Sequence, residues 1–358
     1  MRVLHVTECF EGGVSRAIHS IVENSSDHEH LLLHKGLDLP SSAFTVARRV
    51  DFSAIRWDQW RRAIAEMVAQ HRPDVIHAHS SWSGLHARLT RQAVPVIYQP
   101  HCFAFDMRTP LAPAYWLAER VVARNTATFL TLSEHESAQA RRLGKSAAVV
   151  TLPNVSTLPV LNEDPVQQPD SVPQAELQPD APPHAHPAAV SGSTPTIAMV
   201  GRLCPQKDPH LFAEIRRRAP QDWRFLWIGD GDSSMRSELV SAGVDVTGWL
   251  GPDELAQTLR ACDAYAHTAA WEGFPLSVLD ADACGVPIVA RRIPAFAATE
   301  VPVFDSPSEA VELLRSALSA QRPRPGSQFP TMTRREQRRV LDDVYARAAE
   351  QGAARVDP

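Results

Sequence analysis

Two doubly wound α/β units facing each other across a cleft are predicted for this chain, and three observations predict them. Short apolar runs alternate with segments of helical spacing, which argues for mainly parallel sheets wrapped by helices. A stretch rich in Pro, Gln, Asp and Ala, with no aromatic residue, interrupts that alternation over 159–195. The length, 358 residues, exceeds one small domain and suits two. The predicted division is a first Rossmann-like unit over 1–158, a Pro-rich flexible linker over 159–195, a second Rossmann-like unit over 196–330, and a helical segment over 331–358 that can pack back on the first unit.

The elements follow in order. Residues 3–7 read as a strand, and Gly12-Gly13 opens a helix over 14–23. Leu31-Leu32-Leu33 is a second strand, and 57–70 has helical spacing. Pro73 precedes a strand over 74–79; three further short strands occupy 94–99, 128–132 and 148–152. The 159–195 segment cannot bury enough apolar surface to offset its ordering entropy, and its prolines favour an extended spacer. Beyond it come a strand at 197–200, a helix over 209–218, a strand at 224–228 ending in Gly229-Asp230-Gly231, and a strand at 244–247. A helix over 252–262 and a strand over 264–267 lead to the segment 271–289. There Gly273-Phe274-Pro275 suits a tight loop opening a helix, and Leu276, Leu279 and Ala283 form its apolar face. Gly285 and Pro287 stop that helix before a buried strand at 288–290, and the last helix covers 334–350.

Composition removes several function classes. The formal charge of −5, with Lys and Arg spread along the chain, lends no support to nucleic-acid binding. Five scattered cysteines without a C-x-x-C pair suit a reducing compartment. No signal-peptide pattern precedes the first strand and no apolar run nears the ~20 residues that span a bilayer, so a cytoplasmic protein is expected. Neither G-x-S-x-G nor G-x-x-x-x-G-K-[ST] occurs, so the corresponding hydrolase and P-loop readings lack their parts. The basic, aromatic stretch over 47–70, with Trp57, Trp60, Arg61 and Arg62, has two readings: peripheral contact with an anionic inner membrane face, or, favoured, a helix packed on its own sheet.

Three constellations carry chemistry. Glu272 and Asp280 are separated by seven residues, one at a helix mouth and one about a turn and a half inside, so both can look into a cleft and hold hydroxyl groups. Arg202 and Lys207 converge before a helix that Asp208 caps and Pro209 begins, where amides and dipole favour an anion such as a diphosphate; two solvated basic residues are the plain alternative. Gly12-Gly13 allows close approach to a phosphate or sugar but also suits a simple turn, and no dinucleotide fingerprint follows the strand. His101 closes a strand-like run; it either meets a sugar hydroxyl in the cleft or fills a structural place. His77 and His79 flank Ala78 and are read as facing opposite sides of their strand, in packing roles. Fifteen histidines without H-E-x-x-H or a carboxylate cluster lead to the expectation of no metal centre.

Taken together these residues resemble the family-4 retaining glycosyltransferases of the GT-B fold across nearly the whole chain. The resemblance runs through Glu11-Gly12-Gly13-Val14, Pro73-Asp74-Val75-Ile76-His77-Ala78-His79, Leu132-Ser133-Glu134 and Pro153-Asn154-Val155. Its strongest parts are Gly201-Arg202-Leu203 with Lys207, and Glu272-Gly273-Phe274-Pro275 with Asp280. It implies a nucleotide-diphosphate-sugar donor, a saccharide or lipid-linked acceptor, retention at the anomeric carbon, and neither a metal nor another cofactor. It also implies catalytic places for His101, Arg202, Lys207 and Glu272. Arg202 and Lys207 would neutralise the diphosphate, and Glu272 and His101 would meet the donor sugar. Gly273, Phe274 and Pro275 would lie near phosphates and sugar, Gly12 and Gly13 near phosphates and acceptor, and Asp280 would hold the ribose. The chain departs from the family in three ways: Asp280 stands where Glu is usual, Arg292-Ile293-Pro294-Ala295-Phe296 replaces a Gly-rich segment, and the linker is long. Two further expectations accompany the enzyme: a catalytically weak GT-B protein that binds nucleotide-sugar or a partner, and a GT-B nucleotide-sugar epimerase.

Overall fold

The computed structural model of the protein describes residues 1–10, 12–35, 48–51, 59–89, 94–107, 109–144, 146–158, 194–329 and 332–356. Glu11, Arg56, Trp57 and nearly all of the predicted linker lie outside these residues.

Short runs buried on both faces build the first sheet, as parallel strands covered by helices on each side require. Its strands are β1 (Arg2–Thr7), β2 (Glu29–His34), β3 (Arg48–Asp51), β4 (Val75–His79), β5 (Val96–Gln99), β6 (Thr128–Thr131) and β7 (Ala148–Thr151). They run parallel in the order β3-β2-β1-β4-β5-β6-β7. Crossovers are made by α1 (Gly12–Asn24), α2 (Trp60–His71), α3 (Ser81–Arg88), α4 (Ala112–Val122) and α5 (Glu134–Leu143). Alternate residues choose alternate faces. Leu4, Val6, Ile76, Ala78 and Tyr98 join one core with Trp60, Ile64 and Met67 of α2. Val3, Val75, Ile97 and Leu130 join a second core on the other face. Trp60 is 1% exposed, so the helix of the basic stretch packs on its own sheet.

The second sheet has β8 (Thr196–Val200), β9 (Arg224–Ile228), β10 (Val244–Val246), β11 (Ala264–His267), β12 (Ile288–Arg291) and β13 (Val303–Phe304), parallel in the order β10-β9-β8-β11-β12-β13. Its helices are α6 (Pro209–Arg218), α7 (Ser233–Ser241), α8 (Pro252–Arg260), α9 (Leu276–Ala283) and α10 (Pro307–Ser319). Both strand orders reverse direction beside the first strand of the unit, and ligands of open parallel sheets bind at such a switch point, outside the carboxyl ends. The last helix, α11 (Arg334–Val356), lays Leu341, Val344, Tyr345 and Ala348 on the first unit's sheet. That stripe follows helical spacing, and each large side chain so buried contributes about 1.5–3 kcal/mol.

His77 and His79 require a correction. Residues two apart in a strand share a face, and their rings stack with centroids 4.1 Å apart on the α11 side.

Candidate active site

The carboxyl ends of both sheets open on one cleft of about 520 Å³, a size common for small-molecule sites. The first unit contributes Gly12, Gly13 and His101 to its walls. The second contributes Arg202, Lys207, Glu272, Gly273, Phe274 and Pro275. Asp280 alone among the predicted residues does not line it.

Lys207 and Glu272 form the charged centre. Nζ of Lys207 lies 2.5 Å from Oε1 of Glu272, and both side chains are mostly buried, at 17% and 11% exposure. Gly201 makes room for this lysine: a Cβ there would stand 3.1 Å from three of its methylenes. Arg202 approaches from the same strand end, and a Cβ built on Gly12 would lie 3.9 Å from its guanidinium. The glycine loop of one unit and the arginine of the other thus face each other across the cleft. The N-terminus of α6 is already engaged, since Asp208 accepts from the Leu211 amide at 3.1 Å and pairs with Arg291 at 2.7 Å. Arg202 and Lys207 are therefore the cationic side chains that the second unit contributes to the cleft wall.

His101 sits on strained backbone. His101 and Cys102 have φ of 53° and 94°, a left-handed region that costs non-glycine residues about 1–3 kcal/mol. Glu136 holds them there, accepting from the Cys102 amide at 2.6 Å and the Leu132 amide at 2.8 Å. Burial pushes the Glu136 carboxyl up to about 7 and the His101 imidazole down to about 4. Gly273 of the opposite unit fits against this loop. A Cβ on it would stand 2.6 Å from Oε1 of Glu136 and 2.8 Å from the Cys102 nitrogen, so only glycine permits the approach. Asn154 adds a bond across the units, donating to the Phe274 carbonyl at 2.9 Å.

The Glu136 carboxyl has a consequence for stability. Between its ordinary value of 4.5 and about 7 the folded protein keeps a proton that the unfolded chain has released. Stability therefore falls as pH rises through that window and levels off above it, by about 3 kcal/mol from this group. The buried imidazoles, held below their ordinary range, act in the opposite direction between pH 5 and pH 8. Chemical denaturation at those two pH values is therefore expected to show the Glu136 contribution as a difference: the native protein loses stability relative to Glu136→Gln as pH rises. An equal slope in both would remove Glu136 as its source.

Asp280 is placed differently from its sequence expectation. The carboxylate is fully buried inside α9 and receives both arms of the Arg16 guanidinium, at 2.7 and 2.9 Å. Ser156 donates to it at 2.8 Å, and Arg16 also donates to Thr157. One carbon shorter than Glu, the side chain ends inside the interface between the units, so Glu272 and Asp280 do not look into one cleft. The 292–296 segment also leaves the cleft wall: a 3₁₀ turn over Pro294–Phe296 buries Phe296 against Phe274.

Arg16 and Trp249, which line the cleft, and Glu136, which holds the His101 loop, are residues that sequence reasoning passed over. Arg16 stands four residues after Gly12 on the helix that the glycines open, a position that points it at the facing unit. Ser133-x-x-Glu136 has the form of a capping box, and Ser133 does accept from the Glu136 amide; the reach of Glu136 to Cys102 is a tertiary contact. Trp249, 50% exposed, lines the cleft beside Leu250 and Leu255, and a lone exposed aromatic gives no sequence signal.

A family model described as "Glycosyl transferases group 1" matches residues 194–315, and one described as "Glycosyl transferase 4-like domain" matches residues 12–155. A protein of Klebsiella pneumoniae from a cps region is 24% identical over 307 residues, covering 82% of this chain and 81% of its own. An Escherichia coli UDP-Gal:alpha-D-GlcNAc-diphosphoundecaprenol alpha-1,3-galactosyltransferase is 24% identical over 256 residues, covering 64% of this chain and 61% of its own. Among solved structures, sucrose-phosphate synthase from Thermosynechococcus elongatus superposes with a TM-score of 0.69 at 16% identity over 99% of this chain and 98% of its own. Anabaena HepE in complex with UDP gives 0.67 at 15% identity over 99% of each chain.

Proposed function

From the premise that this chain belongs to the group 1 glycosyl transferases of the GT-B fold, we propose that it is a retaining, metal-independent enzyme moving a hexosyl or related sugar from a nucleotide-diphosphate-sugar to a saccharide or lipid-linked acceptor. The observation that carries this reading is the Lys207–Glu272 pair beside Arg202, facing Gly12, Gly13 and His101 across one cleft. As the glycosidic bond breaks, negative charge moves onto the diphosphate; preorganised cations at that place lower the barrier. Arg202 and Lys207 fill that role, and Glu272 and His101 hold the sugar. Gly273 and Phe274, which unlike Pro275 have an amide N–H to donate, line the cleft on the side proposed for the phosphates. The base lies in the apolar end of the cleft formed by Ile228, Trp249, Leu250 and Leu255. HepE was solved with UDP, which favours a uridine donor.

The relative from Escherichia coli acts on a diphosphoundecaprenol-linked sugar, and one face of this protein suits such an acceptor. On and beside α4, Leu111, Leu117 and Val121 are each more than half exposed, Trp116 is 40% exposed, and Arg120 and Arg124 are exposed beside them. Tyr115 and Ala118 of the same helix line the cleft. Peripheral contact with an anionic membrane is therefore proposed for α4; in the 47–70 stretch Trp60 is buried, while Arg56 and Trp57 lie outside the described residues. No helix among the described residues is long and apolar enough to cross a membrane. In sedimentation with phosphatidylglycerol vesicles, Leu117→Asp/Val121→Asp is expected to bind about tenfold less than the native protein, since each exposed apolar side chain adds insertion energy. Equal binding would place the membrane face elsewhere.

The enzyme reading is tested by a thermal-shift screen of UDP, GDP and their hexose conjugates, followed by NMR of the anomeric proton in the product. A nucleotide-sugar that stabilises the fold and is transferred with retention is expected. Inversion, donor isomerisation without acceptor, or binding without any transfer would each overturn it.

A further inference from the structure

Four adjacent strands of the first sheet each bring one histidine to a single hydrogen-bonded line. His30 lies on β2, His5 on β1, His79 on β4, and His101 two residues beyond β5. Nε2 of His5 is 2.9 Å from Nδ1 of His30, and Nδ1 of His5 is 3.0 Å from Nε2 of His79. Nδ1 of His79 is 3.1 Å from Nε2 of His101. The line crosses the sheet from the end of α1 to the cleft, and its first three members are buried at 0–3% exposure. Burial pulls the titration of all four rings below the ordinary imidazole range, so they are neutral at pH 7.

A neutral imidazole has one donor and one acceptor, so the direction of such a line is set at its end. The far end is Ser25. Nε2 of His30 meets the Ser25 carbonyl at 2.9 Å and the Ser25 hydroxyl at 3.3 Å. The hydroxyl donates its own proton to the Ile21 carbonyl at 2.5 Å. Both Ser25 oxygens can therefore only accept from His30, and Nε2 of His30 must carry the proton. Nδ1 of His30 then accepts from Nε2–H of His5, Nδ1 of His5 from Nε2–H of His79, and Nδ1 of His79 from Nε2–H of His101.

We propose that His30, His5 and His79 are positioning residues that lock His101 in its Nε2–H tautomer, so that the Nδ1 lone pair of His101 is the atom presented to the donor sugar. The sugar contact rests on the function proposed above; the tautomer does not. In this state His101 accepts a hydrogen bond from a sugar hydroxyl and has no proton to donate at Nδ1. It selects a hydroxyl over an ether or carbonyl oxygen at the matching sugar carbon. His77, stacked on His79, stands outside the line: its Nδ1 meets the Tyr345 hydroxyl at 3.0 Å.

The test has a part that needs no ligand. In protein labelled with ¹⁵N-histidine at pH 7, His30, His5, His79 and His101 are expected to show two-bond proton patterns of neutral Nε2–H rings. A protonated Nδ1 or an imidazolium at His101 would overturn the proposal. In the second part, His79→Phe is expected to lose tenfold or more in UDP-galactose affinity relative to UDP affinity, while His77→Phe keeps the native ratio. A His79→Phe protein whose ratio matches the native one would also overturn it. If His79→Phe does not fold, the same ratio is read in His30→Phe, farthest from the cleft, whose loss frees the line to reverse. Failure of every nucleotide-sugar to bind the native protein would count against the proposed function and leave the spectrum to decide the tautomer. Because His5, His77 and His79 each offer a ring nitrogen within 4.8 Å of one another, elemental analysis of the purified protein completes the test. A stoichiometric transition metal that His77→Ala removes would take the lone pairs the line uses and overturn it.

Discussion

Replacing Lys207 with alanine is expected to lower the transfer rate by about two to three orders of magnitude, the range for removing one preorganised stabiliser of a developing anion. Two effects add. The ammonium no longer meets the leaving diphosphate, and Glu272, 11% exposed and paired only 2.5 Å away in the native protein, becomes an uncompensated anion in the same cleft. The second effect predicts a non-additive pair: Lys207→Ala with Glu272→Gln should be faster than Lys207→Ala alone, because the unpaired charge is gone. Lys207→Arg keeps the charge, but its planar fork must lie over Gly201, where the lysine methylenes pack closely, so rescue should be partial. Steady-state kinetics with the donor identified by the screen decide the matter. A Lys207→Ala enzyme within about threefold of native kcat would remove Lys207 from leaving-group stabilisation, whose loss costs far more than that.

Arg16→Ala should produce the largest change in stability, about 3–5 kcal/mol, the usual cost of stripping a partner from a buried charge. The carboxylate of Asp280 has no exposure, whereas the Arg16 side chain keeps 28%. Removing the aspartate instead leaves an arginine that can turn to water and still reach Thr157. Asp280→Ala is therefore expected to cost less than Arg16→Ala, an order that urea unfolding can read. The two residues belong to α1 and α9, in different units, so both variants should also loosen the closed arrangement and raise the donor KM. A ribose grip by Asp280 makes the opposite forecast. Arg16→Ala would then free the carboxylate and tighten donor binding, Asp280→Ala would weaken it, and neither would move stability much.

These two residues also mark where sequence legibility stopped. The strands of both sheets showed themselves through short apolar runs, because parallel strands buried on both faces must be apolar nearly throughout. Two were missed: β3 (Arg-Arg-Val-Asp) carries too much charge to look like a strand, and β13 has only two residues. Helices α3, α4, α5, α7 and α10 received no individual assignment. Exposed Trp116, Leu117 and Val121 blur the apolar stripe that would have marked α4. Glycines and charges of the cleft were readable as motifs because they follow strand ends, where the fold itself opens.

What the sequence by itself determined was the alternation of strand and helix, the division into two units, and the set of residues at strand ends: Gly12, His101, Arg202, Lys207 and Glu272. Local patterning suffices for these, since burial period and turn chemistry act over a few residues. Only the tertiary structure decided which groups those residues meet. Asp280 pairs with Arg16 across 264 positions, Glu136 bends the His101 loop that Gly273 approaches, and four histidines from separate strands join in one line. Such partners are set by how two folded units close on each other, and a buried charge or imidazole takes its role from the neighbours that closure supplies.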